Sequence, residues 1–167
     1  MSSAGARWLS TVGAIREPGC ARGQGGAIAA PAVIDGLQFD EVRTSTDLVR
    51  LRAFAAGNVQ VTEYESDDRE GPPAHTHLWD EVEYVIDGTA EFLIDGEWVR
   101  GGPGTVQLLP AGAAHSVRIP EGTARLLLVT IGAPYDGFAR DLARVADQGG
   151  GGAEIVAAAR RHGVELA

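Results

Sequence analysis

Apolar and polar residues alternate in short bursts from about Ile34 to Ile131, and the bursts are too brief for helices. Leu48, Val49, Leu51 and Phe54 form one apolar-rich run, Val59 and Val61 an alternating one, and Val82, Tyr84, Val85 and Ile86 the next. Residues two apart share a face of a strand, so each run predicts a β-strand. Residues 105–109 and 124–131 add two more β-prone runs. Asp87-Gly88 and Asp95-Gly96 each separate such runs, and Asp-Gly suits the two-residue turns whose backbone follows strand twist. Together they predict a meander of hairpins across residues 81–100. Gly101-Gly102-Pro103-Gly104 and Pro110-Ala111-Gly112 mark sharp loops. Many short strands divided by dense turns predict an all-β sandwich or barrel.

Helical spacing appears only towards the C-terminus. Phe138, Leu142 and Val145 recur on one helical face behind Asp136, a candidate N-cap, and the glycines at 149–152 end the run. Residues 153–162 predict a second short helix with Gly163 just past its end. His162, at that end, is placed to complement the helix dipole and not to ligate. The first 30 residues are rich in Gly, Ala, Ser and Arg, carry Glu17 as their one acid and show no period, so they predict a flexible extension. The expected organisation is an extension over 1–30, a barrel over 31–134 and a helical tail over 135–167.

Composition narrows the function classes. A chain of 167 residues, 44% of them hydrophobic, suits one domain with a sizeable core. A net charge of -9 disfavours nucleic acid and anionic membrane surfaces as partners, since both reward clustered Lys and Arg. No apolar run approaches the roughly 20 residues that span a bilayer. One cysteine, Cys20, forms no internal disulfide and fits a reducing compartment, so a cytoplasmic location is expected.

The chemistry concentrates in two stretches, His75-Thr76-His77-Leu78-Trp79-Asp80-Glu81 and Pro110-Ala111-Gly112-Ala113-Ala114-His115, which hold three of the four histidines. On a strand, His75 and His77 present both imidazoles to one point. A turn after His77 brings Glu81 back beside them, and the Pro110-x-Gly112 turn delivers His115. Three imidazoles and a carboxylate suit one divalent transition-metal ion (Fe, Mn, Ni, Co, Cu or Zn) over Ca²⁺ or Mg²⁺.

These residues resemble the two motifs of the cupin superfamily. His75, His77, Glu81 and Gly88 meet the first, and Gly104, Pro110, Gly112 and His115 the second, with fifteen residues, 89–103, between them. Arg69 stands where the first motif has a glycine and Ile119 where the second has an asparagine. The resemblance implies a jelly-roll barrel with a metal held inside by His75, His77, Glu81 and His115. It is similar to the small quercetinase-like members, which implies a dioxygenase acting on an enolisable or phenolic small molecule with O₂, in a homodimer, with Glu81 as ligand and general base. Two other expectations stay open: a Lewis-acid enzyme without redox chemistry (isomerase, cyclase, lyase or decarboxylase), and a metal-dependent binding or sensor module.

Glu83 follows Glu81 by two residues and so shares its inward face. It is a candidate proton shuttle; alternatively it pairs with Arg118 or Arg125, or a bulge turns it to solvent. Trp79 is a candidate for the substrate entrance, a barrel cap or a subunit contact, and Gln107 for a polar contact in the pocket or an ordinary barrel position. Phe92 and Trp98 read as core or interface.

Overall fold

A computed structural model describes residues 40–43, 48–133 and 135–167. The extension expected over 1–30, with Cys20, lies outside them. The order is β1 (Asp40–Arg43), β2 (Leu48–Ala56), β3 (Val59–Ser66), β4 (His75–His77), β5 (Asp80–Asp87), β6 (Ala90–Ile94), β7 (Glu97–Gly101), β8 (Val106–Leu109), β9 (His115–Arg118), β10 (Ala124–Ile131), α1 (Tyr135–Asp147), α2 (Gly152–Arg161) and β11 (Val164–Leu166). The strands form two antiparallel sheets, one in the order β1-β2-β3-β10-β5-β8 and the other β11-β4-β9-β6-β7. Val85 and Leu126 of the first sheet share one buried cluster with Phe92 of the second and Ile119 beyond β9, so the sheets face each other as the jelly roll expected from the motifs. Burying a side chain such as Leu126 completely contributes about 2 kcal/mol.

One hairpin of the expected meander forms and the other does not. Asp95 and Gly96, at φ 51° and 82°, turn β6 into β7, the left-handed pair that a two-residue hairpin needs. At Asp87-Gly88 the chain instead changes sheet, because β5 pairs with β10 and β8 while β6 pairs with β7 and β9. A Cβ at Gly88 would lie 2.4 Å from the Thr123 carbonyl oxygen. The glycine therefore serves a close crossing between layers.

The alternation along β3 runs in an unexpected phase. Gln60, Thr62, Tyr64 and Ser66 are buried, while Val59 and Val61 on the other face are only half-buried. Register extends this polar inner face across the sheet: Thr62 opposes Leu128, Leu128 opposes Glu83 and Glu83 opposes Gln107, while Gln60, Thr130 and Glu81 align one step along. One end of the interior is thus apolar and the other polar. Polar groups cost free energy to bury, so a polar interior marks a site.

The tail departs from expectation in two ways. Tyr135 packs on the core, so α1 begins one residue before Asp136, which falls inside the helix and is not its N-cap. Beyond Gly163, whose φ is 76°, the chain adds β11, too short to predict. It lays Val164 beside His77 and Leu166 beside His75. The helices thus pack over the barrel opening as well as its exterior. Asp141 ties them together, accepting from Arg144 on α1 and, at 2.8 Å, from Arg161 on α2, with His162 3.3 Å away.

Those partners, Arg144 and then Arg161, lower the Asp141 carboxyl from 3.8 to about 2. A depressed carboxylate stabilises the fold above its unfolded value and loses that contribution as pH falls through about 2. Asp141→Asn is expected to lower hydrogen-exchange protection in α2 at pH 7 and leave β5 and β10 unchanged. Equal protection of α2 in both proteins would remove Asp141 from this role.

Candidate metal centre

Backbone hydrogen bonds stitch the two motifs together. The Pro110 carbonyl accepts from Ala113 N–H at 3.0 Å, closing the turn, and Gly112 N–H donates to the His77 carbonyl at 2.8 Å. Ala111 N–H donates to Asp80 Oδ1 at 2.9 Å. β4 and β9 then lie side by side with His75 opposite His115. The two positions that depart from the family motifs also meet: Arg69 donates to the carbonyls of Ile119 at 3.0 Å and Gly122 at 2.8 Å. Close approach by a glycine occurs at Gly71 instead, where a Cβ would lie 2.3 Å from the Val117 carbonyl oxygen.

Three of the four predicted ligands converge. The ligand atoms of His77, Glu81 and His115, all buried, lie within 4.8 Å of one another. His77 Nε2 is 3.2 Å from Glu81 Oε2, and His115 Nε2 is 3.8 Å from Glu81 Oε1. His75 is half-buried at the side of this trio, its ring 4.4 Å from that of His115 and 6.2 Å from that of His77.

Each imidazole is oriented by a backbone carbonyl on Nδ1: Pro73 for His75 at 2.9 Å, Trp79 for His77 at 2.9 Å and Ala113 for His115 at 3.0 Å. With the proton on Nδ1, each Nε2 keeps its lone pair. Burial, first among the causes, lowers His75 to about 4 and lowers His115 as well, so both are neutral at pH 7. Burial acts to raise the Glu81 carboxyl, but His77 and then His115 hold it below its ordinary value.

The Nε2 of His77 is buried and makes no hydrogen bond, although a carboxylate oxygen faces it. Two acceptors at that distance call for a cation between them, and buried imidazole with carboxylate is a donor set for a first-row divalent ion. The residues fit a metal.

Trp79 turns out to support the ligands. It is 3% exposed, its ring stacks on His77 at 4.2 Å and 4°, and Nε1 donates to Glu81 Oε2 at 3.2 Å. It also lines a cavity of about 300 Å³ together with His75, His77, Glu81 and His115.

Glu83 faces the same cavity, buried, without a bulge and without an arginine. Tyr64 donates its hydroxyl to Oε1 at 2.7 Å and Oε2 has no partner. Burial first, then the charge of Glu81, raises its carboxyl to about 8. The arginines considered for it go elsewhere: Arg118 pairs with Glu91 at 2.7 Å and covers the Trp98 ring, and Arg125 lies 3.7 Å from Glu63. Gln107 is buried behind Glu83 in the register and does not line the cavity, which corrects its expected place in the pocket.

Tyr64, Tyr135 and Phe138 line the cavity, and the sequence marks none of them as a site residue. Tyr64 had a usable signal, since Gln60, Thr62, Tyr64 and Ser66 form a polar period-two set. Tyr135 and Phe138 arrive through α1, whose helical period is legible in the sequence but whose place beside the cavity is not.

A family model described as the Cupin domain matches residues 61–131. The Acetate kinase EutQ of Clostridioides difficile (strain 630) is 37% identical over 57 residues, 34% of this chain and 36% of that protein. The chain therefore matches about a third of that curated relative's length. Among solved structures, an RmlC-like cupin from Shewanella frigidimarina has a TM-score of 0.54 at 18% identity, covering 64% of this chain and 96% of that one. The polyketide cyclase RemF from Streptomyces resistomycificus has 0.52 at 23% identity, covering 62% and 80%. At these identities the likeness is one of fold. Among the described residues, no helix is long and apolar enough to cross a membrane.

Proposed function

The chain belongs to the cupin superfamily through residues 61–131, and on that footing we propose that it is a metal-dependent enzyme acting on an enolisable or phenolic small molecule, with O₂ as second substrate. The observation that carries the reading is the buried His77, Glu81 and His115 trio, its acceptor atoms turned on one another at the wall of a 300 Å³ cavity. His77, Glu81 and His115 hold the ion, and His75 beside His115 completes the set. Such an ion supplies a Lewis-acidic contact that acidifies an enol or phenol oxygen and, when redox active, a path for electrons to O₂.

The chain's own residues handle the proton. Glu81 takes it from the substrate oxygen, with Trp79 Nε1 holding the carboxylate in place. Glu83 is the second acid–base group: it lines the cavity, Tyr64 fixes its Oε1, and its buried Oε2 has no hydrogen-bond partner. That pair favours a second reading, proton transfer without O₂ in an isomerase, cyclase, lyase or decarboxylase, because such a reaction must return a proton that oxygen insertion need not. A second copy of this chain is the proposed partner for the outer face of the first sheet, where Tyr84, Val106 and Leu108 are exposed beside β8, the terminal strand of that sheet among the described residues.

The experiment is anaerobic reconstitution with Fe²⁺, Mn²⁺, Ni²⁺, Co²⁺, Cu²⁺ or Zn²⁺, followed by polyphenols and enolisable ketones with and without O₂. Uptake of O₂ coupled to substrate loss is the expected result. Equal turnover with Zn²⁺ and no O₂ selects the second reading, and no turnover with any ion leaves a binding module.

A further inference from the structure

We propose that residues 135–167 form a recognition wall for the apolar body of the ligand, so that this site takes amphipathic molecules with one oxygen-bearing end and an uncharged hydrocarbon or aromatic body. The oxygen end rests on the metal reading above; the wall does not. The cavity has two unlike sides. Glu81, Glu83 and Tyr64 line it from the first sheet, whereas Phe138 and Leu142 of α1, Ile155 of α2 and Val164 of β11 line it from the tail. Phe138, Leu142 and Ile155 remain half-exposed although they face inward. Apolar area left open inside a cavity is what a ligand's hydrocarbon covers.

The wall is built before any ligand arrives. β11 is laddered to β4, so Val164 sits beside His77 itself. Asp141 joins α1 to α2 through Arg161 at 2.8 Å. A pre-formed wall spares the ligand the cost of ordering it. The remaining charged groups lining the cavity are already engaged: Asp68 Oδ1 accepts from the Glu70 and Gly71 N–H groups at 3.0 and 2.8 Å, and Arg118 is held by Glu91 at 2.7 Å. They offer no free charge to the ligand's body. The wall also lies outside the residues that the Cupin domain matches, 61–131, so it belongs to this chain's own extension of the barrel.

The test is calorimetric titration of the full chain, zinc-loaded and chelator-treated, under nitrogen, with catechol and its 4-methyl, 4-ethyl, 4-propyl and 4-butyl derivatives. Affinity is expected to rise about fourfold per methylene in both forms, the value for burying a CH₂. In the Leu142→Asn and Ile155→Asn variants, checked for native circular dichroism, the gain is expected to fall below about twofold. A flat wild-type series, no binding by any derivative, or an equally steep series in folded variants overturns the wall. Zinc-independent binding of catechol with the slope retained defeats the metal reading alone. A flat series whose affinities all depend on zinc defeats the wall alone.

Discussion

Replacing His77 with alanine is expected to abolish stoichiometric metal binding, weakening affinity for Zn²⁺ or Co²⁺ by well over 100-fold. Loss of a group that merely orients a ligand costs about 10- to 100-fold, and loss of the ligand itself costs more. His77 is the member of the trio on which the others depend. It is 2% exposed, its Nδ1 is fixed by the Trp79 carbonyl, its Nε2 lies 3.2 Å from Glu81, and its ring is the platform on which Trp79 stacks. Without it, Trp79 keeps its bond to Glu81 but loses the stacking partner that sets the angle of that bond. His162→Ala is the matched control, because His162 sits against Asp141 and away from the trio. Metal content after dialysis, with a calorimetric titration, reads the difference. If wild type retains as little metal as His77→Ala, the trio is a polar cluster and no ion belongs there.

The ligands could be read from sequence because what positions them is local. His77 lies two positions after His75 along one strand, Glu81 lies four positions after His77 across one turn, and the Pro110-Ala111-Gly112 turn fixes the approach of His115. Each relation is set by backbone geometry within a few residues. Position at the core of the trio is a different matter, and His75 shows the limit: it shares the strand face of His77, yet its ring lies against His115 and outside the closest group. What was not legible depends on contacts remote in sequence. Asp87-Gly88 has the composition of a hairpin, but the choice between a hairpin and a sheet change is made by Thr123 and Ala124, remote in sequence, approaching Gly88 at the start of the neighbouring strand β10. β11 is three residues long and exists because β4 offers it an open edge. A buried acid calls for a cation, which makes Arg118 or Arg125 the partner that the sequence suggests for Glu83. The structure meets the need with the Tyr64 hydroxyl, nineteen residues earlier on β3, and with the proton itself.

That proton gives the last prediction its sign. The carboxyl of Glu83 is raised from 4.5 to about 8, by burial above all and then by Glu81, against a smaller opposing effect of the Tyr64 hydrogen bond. Between these two values the unfolded chain has released the proton while the folded chain keeps it. At this residue the folded state therefore binds more protons, so the contribution of Glu83 to the stability of the metal-free protein falls as pH rises from about 4.5 to about 8, opposite in sign to His75 and His115, whose lowered values favour the fold as pH rises towards 6.5. The cost accumulated by pH 8 is on the order of a few kcal/mol. Glu83→Gln has no proton to lose at this position and shares the histidine contribution with wild type, so the difference in stability between the two is expected to shift steadily in favour of the variant from pH 5 to pH 8. Urea denaturation of chelator-treated protein at pH 5, 6, 7 and 8 measures both. An ion pair between Glu83 and Arg118 or Arg125 would reverse the slope, since a carboxylate held below its ordinary value stabilises the fold as pH rises. Parallel curves for wild type and variant would show that Glu83 carries no buried proton, and its assignment as the second acid–base group would fall with them.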